Sequence, residues 1–331
     1  IWSLYNMSCF HPIDAWICGI NPETGKKILT FSYDPYHENR ELIQIPCGKC
    51  IGCRLDYSRE WANRCMLELG YHESSYFVTL TYDDIHVPIS YYADKESGEA
   101  LPAMTLRKRD YQLFMKRLRK RFSDQHIRFF ACGEYGGKTH RPHYHAILFG
   151  LKLDDLVLYK SSLRGDRYYN SASFNSCWQD HDGLQIGHCV IGDVTWNSCA
   201  YVARYVTKKL NGSMSGVYKE FNIEPEFVLM SRRPGIARQY FEDHPDLYEY
   251  DYISLSTDDG GRKIYPPRYY DKLFEVVHPD KMAEIKERRK DVAIKSMEAK
   301  LAKTSLDIWH QLVVEEDNLS AKIKSLRRDI V

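Results

Sequence analysis

The order of elements predicts an α+β fold: a mainly antiparallel five-stranded sheet with helices packed on one face. Two observations carry this expectation. Short runs rich in β-branched and aromatic residues alternate with runs whose apolar residues recur at helical spacing. Two central strands are joined directly by a Gly-containing turn, which predicts a hairpin. The chain has 331 residues, 44% apolar and 27% charged, with a net charge of +1. That composition suits an ordinary globular protein, and no apolar run reaches the length of a membrane span. No secretory leader, internal repeat or low-complexity tract is read.

In chain order, residues 1–70 read as irregular at first and then helical over 55–69. Residues 75–84 read as a buried strand. Residues 85–104, with Pro88, Gly98 and Pro102, read as a loop. The stretch 105–122 reads as a helix capped by Thr105, with Tyr111, Phe114, Met115, Leu118 and Phe122 on its apolar stripe. Its remaining surface carries many cations of one sign, which points to phosphate. Lys116 and Arg119, with Arg232 and Arg233 of the later turn "RRPG", are the expected DNA-binding residues. Residues 127–135 and 143–150 read as the hairpin strands, 151–187 as a polar insertion with a short helix near 172–179, and 188–195 as a fourth strand. A helix over 196–210, a fifth strand over 226–231 and one or two polar helices over 280–329 follow. Three segments are expected: a Cys-rich segment 1–70, a central domain 71–254 and a mostly helical extension 255–331.

The stretch "HRPHYHAIL" places His143 and His145 two apart in a strand, so both imidazoles stand on one face. Glu134 ends the preceding strand, and pairing the two strands brings its carboxylate toward both rings. Two readings of such a triad compete: a hard divalent metal acting on phosphate, or a non-haem Fe(II) site. The plain alternative is polar residues on a solvated strand face. In the helix 196–210, Tyr201, Tyr205 and Lys208 share a face. Aromatic pairs at this spacing often pack in cores, but Val202, Ala203 and Val206 are better candidates for the buried stripe. Arg204, Lys208 and Lys209 interleave with the tyrosines, which favours phosphate over oxygen chemistry.

The runs "FVTLTY", "RPHYHAILFG" and "YVARYVTKK", in that order, resemble the three motifs of His-hydrophobic-His (HUH) rolling-circle replication initiators. With "PCGKCIGCRLDYSREWANRC" and "SRRPG", the chain looks like the initiators of gokushoviruses, small single-stranded-DNA phages of the Microviridae. The likeness spans roughly residues 7–240. It implies an HUH fold, RRM-like, for the central domain. It implies tyrosine attack on single-stranded origin DNA, a 5′-phosphotyrosine, a free 3′-hydroxyl that primes synthesis, and later rejoining. By position, Tyr201 and Tyr205 are the nucleophile pair, Lys208 the motif lysine, and His143 and His145 the motif histidines. Glu134 fits the upstream acidic ligand of a site for Mg²⁺ or Mn²⁺. The implied setting is the cytoplasm of a bacterial host, with no membrane. Without a nucleotide-phosphate loop, the host's helicase and polymerase would be partners. Rival readings are an HUH transposase or relaxase, and a zinc-stabilised nucleic-acid-binding protein without catalysis.

The cysteines pose a separate question. "CGKCIGC" gives Cys47, Cys50 and Cys53, three thiolates that need a fourth ligand for a tetrahedral zinc site. Cys9 is the first choice, followed by His11 and Cys65. A structural zinc is the preferred reading, with iron–sulfur ligation as the alternative. Cys18, Cys132, Cys177, Cys189 and Cys199 are expected to be small apolar residues.

Overall fold

The computed structural model describes residues 9–22, 27–33, 40–162, 165–205, 215–257 and 260–325. The chain divides into two compact units, residues 1–57 with 269–331, and residues 58–268.

In the first unit, β1 (Ile13–Ile20), β2 (Lys27–Thr30) and β3 (Leu42–Ile45) form an antiparallel sheet in the order β2-β1-β3. This stretch was expected to be irregular. Its strands are short and largely exposed, so they lack the buried alternation that marks a strand in sequence. Helix α1 (Ile51–Leu69) starts four residues earlier than expected, directly after Cys50, and the division between units falls within it, after Tyr57.

The second unit continues with β4 (Ser75–Thr81), β5 (Ile89–Ala93), β6 (Ala100–Met104), α2 (Lys108–Arg121), β7 (Arg128–Tyr135) and β8 (Pro142–Phe149). After these come β9 (Leu156–Ser161), β10 (Arg167–Ser171), the short α3 (Ala172–Asn175), β11 (Cys189–Asp193) and α4 (Trp196–Tyr205). It closes with α5 (Gly216–Glu220), β12 (Phe227–Met230), α6 (Arg238–Asp243), and the hairpin of β13 (Ile253–Thr257) and β14 (Gly260–Ile264). Helices α7 (Arg268–Val277), α8 (Pro279–Leu301) and α9 (Ile308–Ser325) complete the chain.

The main sheet has seven strands, not five, in the order β12-β7-β8-β4-β11-β10-β9, and every pairing is antiparallel. The two additional strands, β10 and β9, come from the stretch read as a polar insertion. On the outermost strand, Val157, Leu158 and Tyr159 are all exposed, so no period of two betrays it. The expected loop 85–104 is the hairpin β5–β6; Pro102 sits opposite Tyr91 in this two-stranded ribbon, where an edge position asks no amide donor of it. Thr105 does not cap α2. The N-cap is Arg107, without a side-chain bond, and the Thr105 hydroxyl accepts from the Glu224 amide instead (2.9 Å).

Alternation assigns the sheet two faces. On one, Val78, Leu80, Tyr144, Ala146 and Leu148 pack with Tyr111, Phe114, Met115 and Leu118 of α2 and with Phe174 and Trp178. On the other, Trp61 of α1 stacks on Phe130 (4.8 Å between centroids), and α4 lies against β7 and β8. Helices therefore cover both faces, not one. Each face of the central strands is apolar enough to demand a cover. One close approach fixes the entry to β11: a Cβ on Gly187 would lie 1.9 Å from the Thr81 carbonyl oxygen.

Candidate metal centre and nucleophile helix

Pairing of β7 with β8 sets Glu134 opposite His143 and Cys132 opposite His145. Directly opposed residues share a face, so the carboxylate and both imidazoles meet. Glu134 Oε1 lies 2.6 Å from His143 Nε2 and 3.2 Å from His145 Nε2. The other ring nitrogens are also engaged: His143 Nδ1 with the Arg141 carbonyl (3.1 Å), and His145 Nδ1 with the Thr79 hydroxyl (2.9 Å). Thr79 is the register partner of His145 on β4. With both Nδ1 atoms held, each Nε2 faces the carboxylate. As an imidazolium it donates to Glu134; as a neutral ring carrying its proton on Nδ1 it offers a lone pair to a cation.

Glu134 and His145 are buried, while the His143 side chain keeps 17% of its surface open. Burial raises the Glu134 pKa, but hydrogen bonds from His143 and His145, with their charge, more than offset this and hold it at about 2. A buried ionised carboxylate facing two imidazoles is a donor set that a divalent cation fits. One carboxylate and two imidazoles leave coordination positions over for water or substrate.

Helix α4 begins with a reciprocal cap. The Ser198 amide donates to Thr195 Oγ1 (3.1 Å), and the Thr195 amide donates to Ser198 Oγ (2.8 Å). Cys199, Val202 and Ala203 are buried, as the stripe reading expected for the last two. Ser58 of α1 donates to the Ala200 carbonyl (3.2 Å), and Trp196 Nε1 donates to Asn63 (3.2 Å), which fixes the helix over the sheet. The half-buried Tyr201 ring lies 5.1 Å from that of His145 and 6.0 Å from that of Phe77. The side chain of Tyr205, and Lys208 entirely, lie outside the described residues.

In the first unit, one sulfur each of Cys9, Cys47, Cys50 and Cys53 lies within 4.8 Å of the others. Cys47 and Cys53 sulfurs are 4.0 Å apart, and those of Cys9 and Cys50 are 3.9 Å apart. A tetrahedral zinc with bonds of about 2.3 Å separates its sulfurs by about 3.8 Å. Backbone amides point at these sulfurs: Lys49 and Cys50 at Cys47 (3.4 and 3.2 Å), Cys47 at Cys9 (3.3 Å), and Phe10 at Cys50 (3.4 Å). Such donors stabilise thiolate over thiol. Burial raises the Cys47 pKa, but the amides of Cys50 and Lys49 outweigh it and bring it below the ordinary value. Burial pushes Cys9 up to about 11. Of the alternative fourth ligands, His11 pairs with Glu316 of α9 (2.5 Å), and Cys65 lies beside Cys199.

The four expected DNA-binding residues do not converge on the Glu134 cluster. Lys116 and Arg119 ride on α2, against the opposite sheet face, and Arg119 also donates to the Ile127 carbonyl (3.1 Å). Arg232 and Arg233 are exposed on the turn after β12, nearest the Arg128 end of β7 rather than its Glu134 end. Sequence reasoning missed what holds this turn. The buried Glu68 pairs with Arg128 (2.5 Å) and accepts from the Ala237 amide (2.6 Å), while Arg128 and Arg64 donate to the Pro234 and Ile236 carbonyls (3.0 and 2.8 Å). Thr79 was also missed as a partner of His145, although it sits in the quoted "FVTLTY".

Comparison with known proteins gives consistent relatives. The model of one family, described as replication-associated protein of the ORF2 type, matches residues 75–210. The chain is 33% identical to replication-associated protein ORF2 of Spiroplasma virus 4, over 98% of each chain. It is 30% identical to replication-associated protein VP4 of Bdellovibrio phage phiMH2K, over 87% of this chain and 84% of that one. It is 32% identical to replication-associated protein ORF4 of Chlamydia phage 1, over 55% of this chain and 43% of the other. No solved structure matches it.

Proposed function

Because this chain belongs to the family of phage replication-associated proteins, we propose that it initiates rolling-circle replication by nicking single-stranded origin DNA through a tyrosine. The observation that carries the reading is the Tyr201 ring 5.1 Å from that of His145, beside the Glu134–His143–His145 cluster.

Glu134, His143 and His145 would hold a divalent cation, Mg²⁺ or Mn²⁺, which when bound draws charge from the scissile phosphate. The phenol oxygen of Tyr201 or Tyr205 attacks phosphorus, a P–O bond to tyrosine forms, and the bond to the 3′-oxygen breaks. The phenol's proton leaves, and the departing 3′-oxygen takes one up; Lys208 is the proposed group that eases phenolate formation and supplies that proton. The 5′-phosphotyrosine conserves a phosphate ester, so a later 3′-hydroxyl reverses the step and rejoins the strand. Two tyrosines on one helix allow a second attack while the first is still esterified. The Cys9–Cys47–Cys50–Cys53 cluster would hold a structural zinc. Opening duplex origin DNA and extending the 3′-end fall to the host helicase and polymerase, in the host cytoplasm. No helix among the described residues is long and apolar enough to cross a membrane.

The test is covalent trapping on a labelled single-stranded origin oligonucleotide. Tyr201→Phe and Tyr205→Phe each keep some adduct, and the double variant keeps none. An adduct outside the peptide 201–209 overturns the tyrosine assignment. Tight binding without any adduct in the wild type favours the non-catalytic binding protein instead.

A further inference from the structure

Helix α2 carries a strong excess of exposed positive charge on the face of the sheet that Glu134 and the histidines do not occupy. Its only acid is Asp110, and that carboxylate is turned inward, accepting from the Tyr82 hydroxyl (2.7 Å). Arg109, Lys116, Arg119, Lys120 and Arg121 are exposed. Arg109, Lys116 and Lys120 follow one another at seven- and four-residue spacing, a stripe about 16 Å long on one side of a helix. The neighbouring acids are Glu224, which accepts from the Lys108 amide at the first turn, and Asp180, whose carbonyl accepts from Arg117. The helix keeps its aromatics to itself: Tyr111 and Phe114 are buried against Val78, Leu80 and Tyr144. Those core residues alternate along their strands with Thr79, His143 and His145. The sheet therefore separates the stripe from the metal cluster, and with a helix about 10 Å across the outward cations lie on the order of 15–20 Å from it.

We propose that α2 is a second nucleic-acid surface, which takes duplex DNA flanking the nicking site and not the strand being cut. A single strand presents bases, and a surface built for it offers aromatic rings on which they stack. The stripe offers cations alone, which suits a duplex whose bases are turned inward and whose phosphates are outside. The proposal rests on the nicking reading only for its cleavage arm; the binding arm stands without it.

The experiment uses the full chain carrying Arg109→Glu and Lys120→Glu together, with Arg109→Gln and Lys120→Gln as the milder pair. Thermal unfolding confirms that each variant is folded. Two quantities are read: the cleavage rate of a single-stranded oligonucleotide of about six nucleotides, and the binding of a duplex across a salt series. The expected result is short-strand cleavage unchanged within about twofold and duplex affinity lower by tenfold or more. The slope of log affinity against log salt should become shallower by about 2, because each lost phosphate contact removes close to one counterion. Equal losses on the short strand would place the cut strand on α2 and overturn the proposal. So would an unchanged duplex slope, which leaves the stripe merely solvated, or a loss confined to long single strands. Should the wild type cleave nothing, the nicking reading fails while the duplex arm still reports on α2.

Discussion

The two candidate metal sites are assembled in similar ways and equipped for opposite tasks. Each takes a tight local spacing, Cys47-Cys50-Cys53 or His143-His145, and adds one residue from earlier in the chain, Cys9 or Glu134. The thiolate site has four soft ligands, amide donors on its sulfurs, and an apolar cover of Ile308, Leu312 and Leu319 from α9. Nothing in that set leaves a position for substrate. The Glu134 site has three harder ligands, a partly open His143 and a tyrosine ring beside it. A closed site contributes folding energy, and an open one contributes chemistry.

The largest expected effect tests the open site. His143→Ala should slow nicking by about a thousandfold, the order of 4 kcal/mol in transition-state stabilisation, with the thermal midpoint nearly unchanged. EDTA should do the same to the wild type, and Mn²⁺ or Mg²⁺ should restore it. Full activity in chelator would remove the contrast altogether. Next is the closed site. Cys50→Ser should release the metal and lower the unfolding midpoint by roughly 10 °C, while nicking by the folded fraction stays within about threefold. Elemental analysis checks the metal: about one zinc per wild-type chain is expected for a closed tetrahedral thiolate site, and visible charge-transfer absorption would point to iron–sulfur.

A control outside both sites sharpens the comparison. Glu68→Gln should cost about 3 kcal/mol of stability by breaking a buried ion pair, without altering either metal content. Burial raises the Glu68 pKa, but bonds from His72 and the Ala237 amide and the charge of Arg128 bring it below its ordinary 4.5. Its stabilisation is therefore complete above that value and declines as pH falls below it. Denaturation of the two proteins at several pH values should converge in acid; a constant gap would assign the loss to packing. The smallest effect concerns orientation. Thr79→Val should weaken metal binding tenfold to a hundredfold, because His145 loses the partner that holds its ring. The loss should be partly recovered by Thr79→Ser and should be absent from zinc content.

Much of this was legible. Strand alternation alone put His143 and His145 on one face, and helical spacing picked out Tyr111, Phe114, Met115 and Leu118, all of which are buried. Cys9 was legible as a thiol near the start of the chain, although only folding brings its sulfur to within 3.9 Å of Cys50. The strands β9 and β10 were not legible, because an exposed edge imposes no apolar period. Nor was the Glu68–Arg128 pair, whose members stand 60 residues apart with no local pattern to join them.

The sequence by itself determined which chemical groups are present and which of them share a face, since periods of two and 3.6 residues are local properties of the backbone. Only the tertiary structure decided which face of the sheet each helix covers. It set Tyr201 over His145 and turned the cations of α2 to the far side. Alternation assigns residues to faces but is blind to what those faces meet, because that depends on packing between segments far apart in the chain.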